Sequence, residues 1–211
     1  MKIQKNDLNK GLAFLFVGVA ILVLVLSAIN TLTNDATGPT ISGQTEELRA
    51  VTVNGETITP QEVEKRQLLF SALGASASLS DVKDEMIREK VLLEEAQRRG
   101  VQTTREEVLE ELELVISLSG VTLEELASDL EQVGSSYEDF IEYYQNSLTI
   151  IAMLDDELEG IEVTQEEVTE AANFLGVNQE MAREQLIFEK QDEVVQNLIE
   201  KLLQNAQIVY Q

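Results

Sequence analysis

The densest group of side chains that could do chemistry is acidic. Asp155, Asp156, Glu157 and Glu159 stand together in "MLDDELEG". Paired carboxylates carry out general acid–base catalysis when their surroundings separate their pKa values. Nothing flanking these four marks one of them as buried, so solvated charge at a helix end is the plain reading. A loose Ca²⁺ site is the alternative, but the spacing and glycine of an EF-hand loop are missing. Composition removes most other chemistry. There is no Cys and no His, which excludes disulfides, thiolate nucleophiles, imidazole triads and zinc sites built on those residues. No Gly-rich phosphate loop occurs. The expectation is a protein that is not an enzyme and that uses no cofactor and no metal.

Charge narrows the partners. The 211 residues carry 15 Lys and Arg against 39 Asp and Glu, a net charge of -24. Nucleic acid is excluded as a partner, because phosphate binding needs clustered cations. No Lys or Arg occurs between Arg105 and Arg183, so most carboxylates in that stretch must face water or cations. What remains is binding through apolar surface, which needs broad, adaptable side chains. The aromatic group in "YEDFIEYY" is the first candidate, with Tyr137, Tyr143 and Tyr144 able to contact a bound polypeptide and Phe140 assigned to the core. Tyr143 and Tyr144 suit either the edge of a core or a client, since a phenol tolerates both. Met86, Met153 and Met181 are flexible candidates for the same surface, or fillers of ordinary packing gaps. Phe174 and Phe188 are expected to hold the last two helices against the body.

The elements that position these residues are legible. Leu12 to Ile29 is apolar and uncharged, about 27 Å long as a helix, with Lys2, Lys5 and Lys10 before it and acidic residues after it. That pattern is expected to be a single transmembrane helix over 11–30 with residues 1–10 in the cytoplasm; a cleaved signal peptide is the competing reading. Residues 31–50 read as a flexible linker. From 51 to 211 the chain reads as one mostly helical domain. "AVTVNG" is a short strand and a tight turn. Thr59 caps the first helix, with Pro60 at its first position and Glu62 reciprocating. Ser80 is the expected cap of the second helix, which closes at Gly100. Thr104 with Glu107, Thr122 with Glu125, Ser136 with Asp139 and Thr164 with Glu167 punctuate the rest, and a last helix starts near Asn178. "AQIVYQ" ends the chain as a short strand, either paired with Val51–Val53 or left as a coil tail.

This order resembles the N-terminal domain of the SurA/PrsA-type chaperones. The resemblance rests on Val53, Asn54, Gly55, Ile58 and Thr59 as the "V-N-G-x-x-I-T" start, and on Leu92, Leu93, Ala96, Gly100 and Val101 around the end of the second helix. It continues with Thr104, Glu106, Glu107 and Val108, repeated at Thr122, Glu124, Glu125 and Leu126, and with Leu130, Gly134, Ser136 and Phe140. It covers residues 51–170 and, more loosely, the terminal helix and strand. The resemblance implies an all-α fold with one short strand pair joining the N- and C-termini of the domain. It departs from relatives that insert a parvulin-type isomerase domain after Val168, since only 43 residues follow and there is no His. The implied function is a membrane-anchored, extracytoplasmic, ATP-independent chaperone-like protein that binds unfolded or extended polypeptides. A non-catalytic structural or adaptor module of a cell-envelope complex is the other reading.

Overall fold

The computed structural model describes residues 49–73, 75–119 and 122–211. Its elements, in chain order, are β1 (Val51–Val53), β2 (Glu56–Ile58), α1 (Pro60–Ala72), α2 (Leu79–Arg99), α3 (Arg105–Ser119), α4 (Leu123–Gln132), α5 (Tyr137–Leu158), α6 (Gln165–Leu175), α7 (Gln179–Asn205) and β3 (Ile208–Tyr210).

The strands form one antiparallel sheet in the order β2-β1-β3. Asn54 and Gly55 reverse the chain with φ of 50° and 95°, the positive values that a two-residue hairpin turn demands. Thr52 then stands opposite Thr57 on one side and Val209 on the other. Val51 and Val53 lie fully inside, as does Ile58, whereas the hydroxyls of Thr52 and Thr57 meet at 3.1 Å on the outer face. Asn54 ties the chain ends together. Its amide N–H donates to the Gln207 carbonyl at 2.9 Å, and its side-chain oxygen accepts from the Gln207 N–H at 2.7 Å. Pairing of Val51–Val53 with the C-terminal segment is therefore present. The expectation of a single strand pair is corrected to three strands, because the turn at Asn54–Gly55 folds Glu56–Ile58 back onto β1 before the first helix begins.

Helix starts follow the capping chemistry. Reciprocal boxes join Thr59 to Glu62, Thr122 to Glu125 and Thr164 to Glu167, and the same pair of bonds links Thr104 with Glu107. Ser136 and Asn178 cap α5 and α7. The second helix is the exception. Ser78, not Ser80, is its cap, because Asp81 stands three residues on and returns a bond to the Ser78 N–H at 3.1 Å. Starting there also brings Leu79 onto the core.

Three apolar cores organise the helices. The main one unites the sheet with α1 to α5 through Val51, Val53, Leu69, Phe70, Val82 and Ile141. A second lies where α2, α5 and the C-terminal half of α7 meet, around Leu92, Ala96, Met153 and Leu154, with Val195, Leu198 and Ile199 against them. The third is small and separate. Val163, Val168 and Ala182 join α6 to the N-terminal half of α7, with Ala171, Ala172 and Leu186 beside them. With 27 residues, α7 is about 40 Å long. One half therefore lies on the body, and the other carries α6 as a helical arm.

The membrane span expected over 11–30, the cytoplasmic residues 1–10 and most of the linker lie outside the described residues. Among the described residues no helix is long and apolar enough to cross a membrane. The physical reason is amphipathicity: charged residues recur along every described helix, as in the 22 residues of α5 and the 27 of α7. The fold class is corrected to an all-helical domain with one small sheet. For the described residues the single-pass membrane localisation with an extracytoplasmic domain, the membrane as partner and the membrane-anchored form of the chaperone reading are corrected as well, since none of their helices supplies the span those readings need.

Candidate polypeptide-binding surface

The best-developed polar cluster is structural. Arg66 of α1 reaches Glu89 of α2 with both guanidinium nitrogens, the longer bond at 3.2 Å, and Asn146 of α5 donates to the same carboxylate at 2.7 Å. The guanidinium lies 4.7 Å over the Tyr143 ring and 3.6 Å from Glu85 Oε2. That carboxylate oxygen has no hydrogen bond. Burial first, then the charge on Glu89, pushes the Glu85 carboxyl up to about 8. Burial raises the Tyr143 hydroxyl as well. Two neighbouring carboxyl groups are the raw material of acid and base catalysis. Here both are walled in by Arg66, Tyr143 and Asn146, so the cluster joins α1, α2 and α5 and offers no face to a substrate.

A cleft of about 310 Å³ opens beside it, lined by Leu93, Gln97, Gln102, Gln145, Asn146 and Thr149 among others. The Gln145, Asn146 and Thr149 side chains are already engaged, Asn146 with Glu89. Gln145 donates to the Thr103 carbonyl at 2.7 Å, and the Thr103 N–H donates to the Thr149 hydroxyl at 3.2 Å. No ionisable side chain lines it, so it has neither a base nor a nucleophile. The acidic run at 155–159 gives no site either. Glu157 pairs with Arg99 at 2.7 Å, and among the described residues no group of three or more Asp or Glu is placed to hold a metal ion. Neither the Arg66 cluster, the cleft nor the acidic run forms a catalytic or metal-binding arrangement among the described residues.

The six residues singled out for polypeptide contact do not converge. Tyr143 is 4 % exposed and packs edge-on against Phe70 with centroids 5.6 Å apart. Met153 is 1 % exposed in the second core. Met86 is half-buried against the main core. Tyr137 and Tyr144 flank Phe140 at 6.5 and 5.8 Å, half-buried at the core edge. Met181 alone stands well out, on α7 in the arm, at 52 % exposure.

The arm also holds the residue that the sequence placed elsewhere. Phe174 is 89 % exposed and Phe188 is 38 % exposed, so neither clamps the last helices to the body. The contact is made instead by small residues: Val168, Ala171 and Ala172 of α6 lie on Ala182 and Leu186 of α7. Phe174 stands about 120° around the helix from Val168, off that stripe. This spacing was the signal available beforehand. Leu175, at 48 % exposure, and Met181 complete an apolar tip around the Gly176–Asn178 turn. At the base of the arm, Lys190 binds Glu167 at 2.9 Å and the Glu162 carbonyl at 3.0 Å, and Arg183 points to the Val163 carbonyl at 3.5 Å.

No protein-family profile and no curated protein matches this sequence. Among solved structures, the fold is similar to a chain from structural work on the virulence factor PEB4 and the periplasmic protein Cj1289, two structurally related SurA-like chaperones of Campylobacter jejuni. The TM-score is 0.54 at 11 % identity, covering 77 % of this chain and 98 % of the other. The likeness is a distant structural one to a SurA-like chaperone, and it is a likeness of fold.

Proposed function

We propose that this chain is a non-catalytic adaptor module of a cell-envelope complex, with a chaperone-like capacity to hold polypeptide segments. The observation that carries the reading is the arm, a hairpin with its own small core that holds Phe174, Leu175 and Met181 in water. A monomeric domain gains nothing in stability from an exposed phenylalanine, and apolar groups gathered at one extremity mark contact surfaces. The fold supports the same reading, since the similar solved chain comes from work on SurA-like chaperones. Tyr137 and Tyr144 are secondary contacts at the edge of the body, with Met86 behind them, while Tyr143 and Met153 act from within the packing that holds those edges.

The test compares the chain with a Phe174→Ser, Met181→Ser variant. One stable co-purifying partner, lost in the variant, is the expected result for an adaptor. Suppression of aggregation across several unrelated unfolded proteins, again lost in the variant, would move the weight to a general chaperone. If the variant behaves as the parent in both assays, polypeptide binding by the arm is refuted.

A further inference from the structure

The proposed polypeptide contact leaves open what kind of segment the tip takes, and the charges around it answer that. The exposed carboxylates nearest to the apolar tip are Glu170, Glu180 and Glu184. Glu170 is one helical turn before Phe174, and Glu184 stands between Met181 and Phe188, which share a stripe of α7 seven residues apart. None of these three makes an ion pair or a hydrogen bond through its side chain. Of the nearby cations, Lys190 is bound to Glu167 and the Glu162 carbonyl, while Arg183, next to Glu184, reaches only the neutral Val163 carbonyl and Gln165. The tip is thus an apolar knob whose rim carries three unpaired carboxylates, with Arg183 the cation beside them.

We propose that the tip of the α6–α7 arm is a docking site for basic amphipathic polypeptide segments. This inference rests on the polypeptide-binding reading above and adds the chemistry of the partner. Aliphatic or aromatic side chains of the segment sit against Phe174, Leu175 and Met181, and flanking Lys or Arg meet Glu170, Glu180 and Glu184. Phe174 favours the same partner independently, because an exposed ring attracts a guanidinium or ammonium group over its face. A second copy of this chain is disfavoured as occupant. It would bring like-charged rims together on a protein whose net charge is already -24.

The experiment measures fluorescence anisotropy of labelled peptides titrated with the chain. One probe alternates Leu and Phe with Lys and Arg; a second has the same apolar residues with Glu in place of each cation. The basic probe is expected to bind at least about tenfold more tightly, and to weaken as salt shortens the screening length. The triple variant Glu170→Gln, Glu180→Gln, Glu184→Gln is expected to lose most of that preference and salt dependence. Phe174→Ser is expected to weaken binding of the basic probe about tenfold. Equal affinity of the two probes, with loss in Phe174→Ser, overturns the charge selection but leaves polypeptide binding by the arm standing. No binding of either probe overturns both. A dimer seen by light scattering and abolished by Phe174→Ser overturns the proposal in favour of a second copy.

Discussion

Glu85→Gln tests the electrostatics of the interior. The Glu85 carboxyl is 6 % exposed on α2, faced by Arg66 of α1, by Tyr143 of α5 and by Glu89 and Arg88 of its own helix. Arg66 is already bound through both nitrogens to Glu89. A second buried carboxylate therefore has no full counter-charge, which disfavours its ionised form. Folding moves the group from about 4.5 to about 8. Between these values the folded protein keeps a proton that the unfolded chain releases. The associated stability is fully present below the unfolded value and is lost as pH rises toward 8, at up to about 1.4 kcal/mol per pH unit. From pH 5.5 to 7.5 the loss comes to about 2–3 kcal/mol. The glutamine variant does not titrate, so its stability relative to the parent should climb by that amount over the same interval. Any fixed cost of fitting the amide shifts the difference curve without changing its slope. Urea denaturation followed by far-ultraviolet circular dichroism, at several pH values, gives the curve. Parallel stabilities, within about 0.5 kcal/mol across the interval, would mean that Glu85 is ionised in the fold and that the argument is wrong.

Two further outcomes follow from the architecture. Val168→Ala removes packing from a core of only three buried residues. It should loosen the arm by about 1 kcal/mol while the body keeps its protection, so hydrogen exchange should accelerate at 163–187 and stay unchanged in α2 and α5. Gly55→Ala places a side chain at a φ of 95°. It should cost about 1–2 kcal/mol in chemical denaturation, and equal stability would show that the hairpin turn contributes little.

Local chemistry was written plainly in the chain. Thr and Ser caps with their acidic partners, and Asn178 without one, mark the helix starts within a residue or two, because each cap is satisfied by groups three positions away and needs no distant neighbour. The Asn54–Gly55 turn was legible for the same reason, and so was the lack of chemistry that follows from having no Cys and no His. Strand β2 was hidden because a three-residue segment has no periodicity of its own. It exists only as the partner of β1.

The candidate surface was harder to see. An aromatic residue in a helix reads as core, yet whether Phe174 or Ala171 and Ala172 face the neighbouring helix depends on where α7 lies. The sequence alone determined the helices, their caps, the acidic surface and the absence of imidazole and thiol chemistry, all properties of residues close in the chain. Only the tertiary structure decided which apolar residues were used up. Burial is set by surfaces brought together from distant segments, and α7 is long enough to serve the body at one end and hold Phe174 and Met181 away from it at the other.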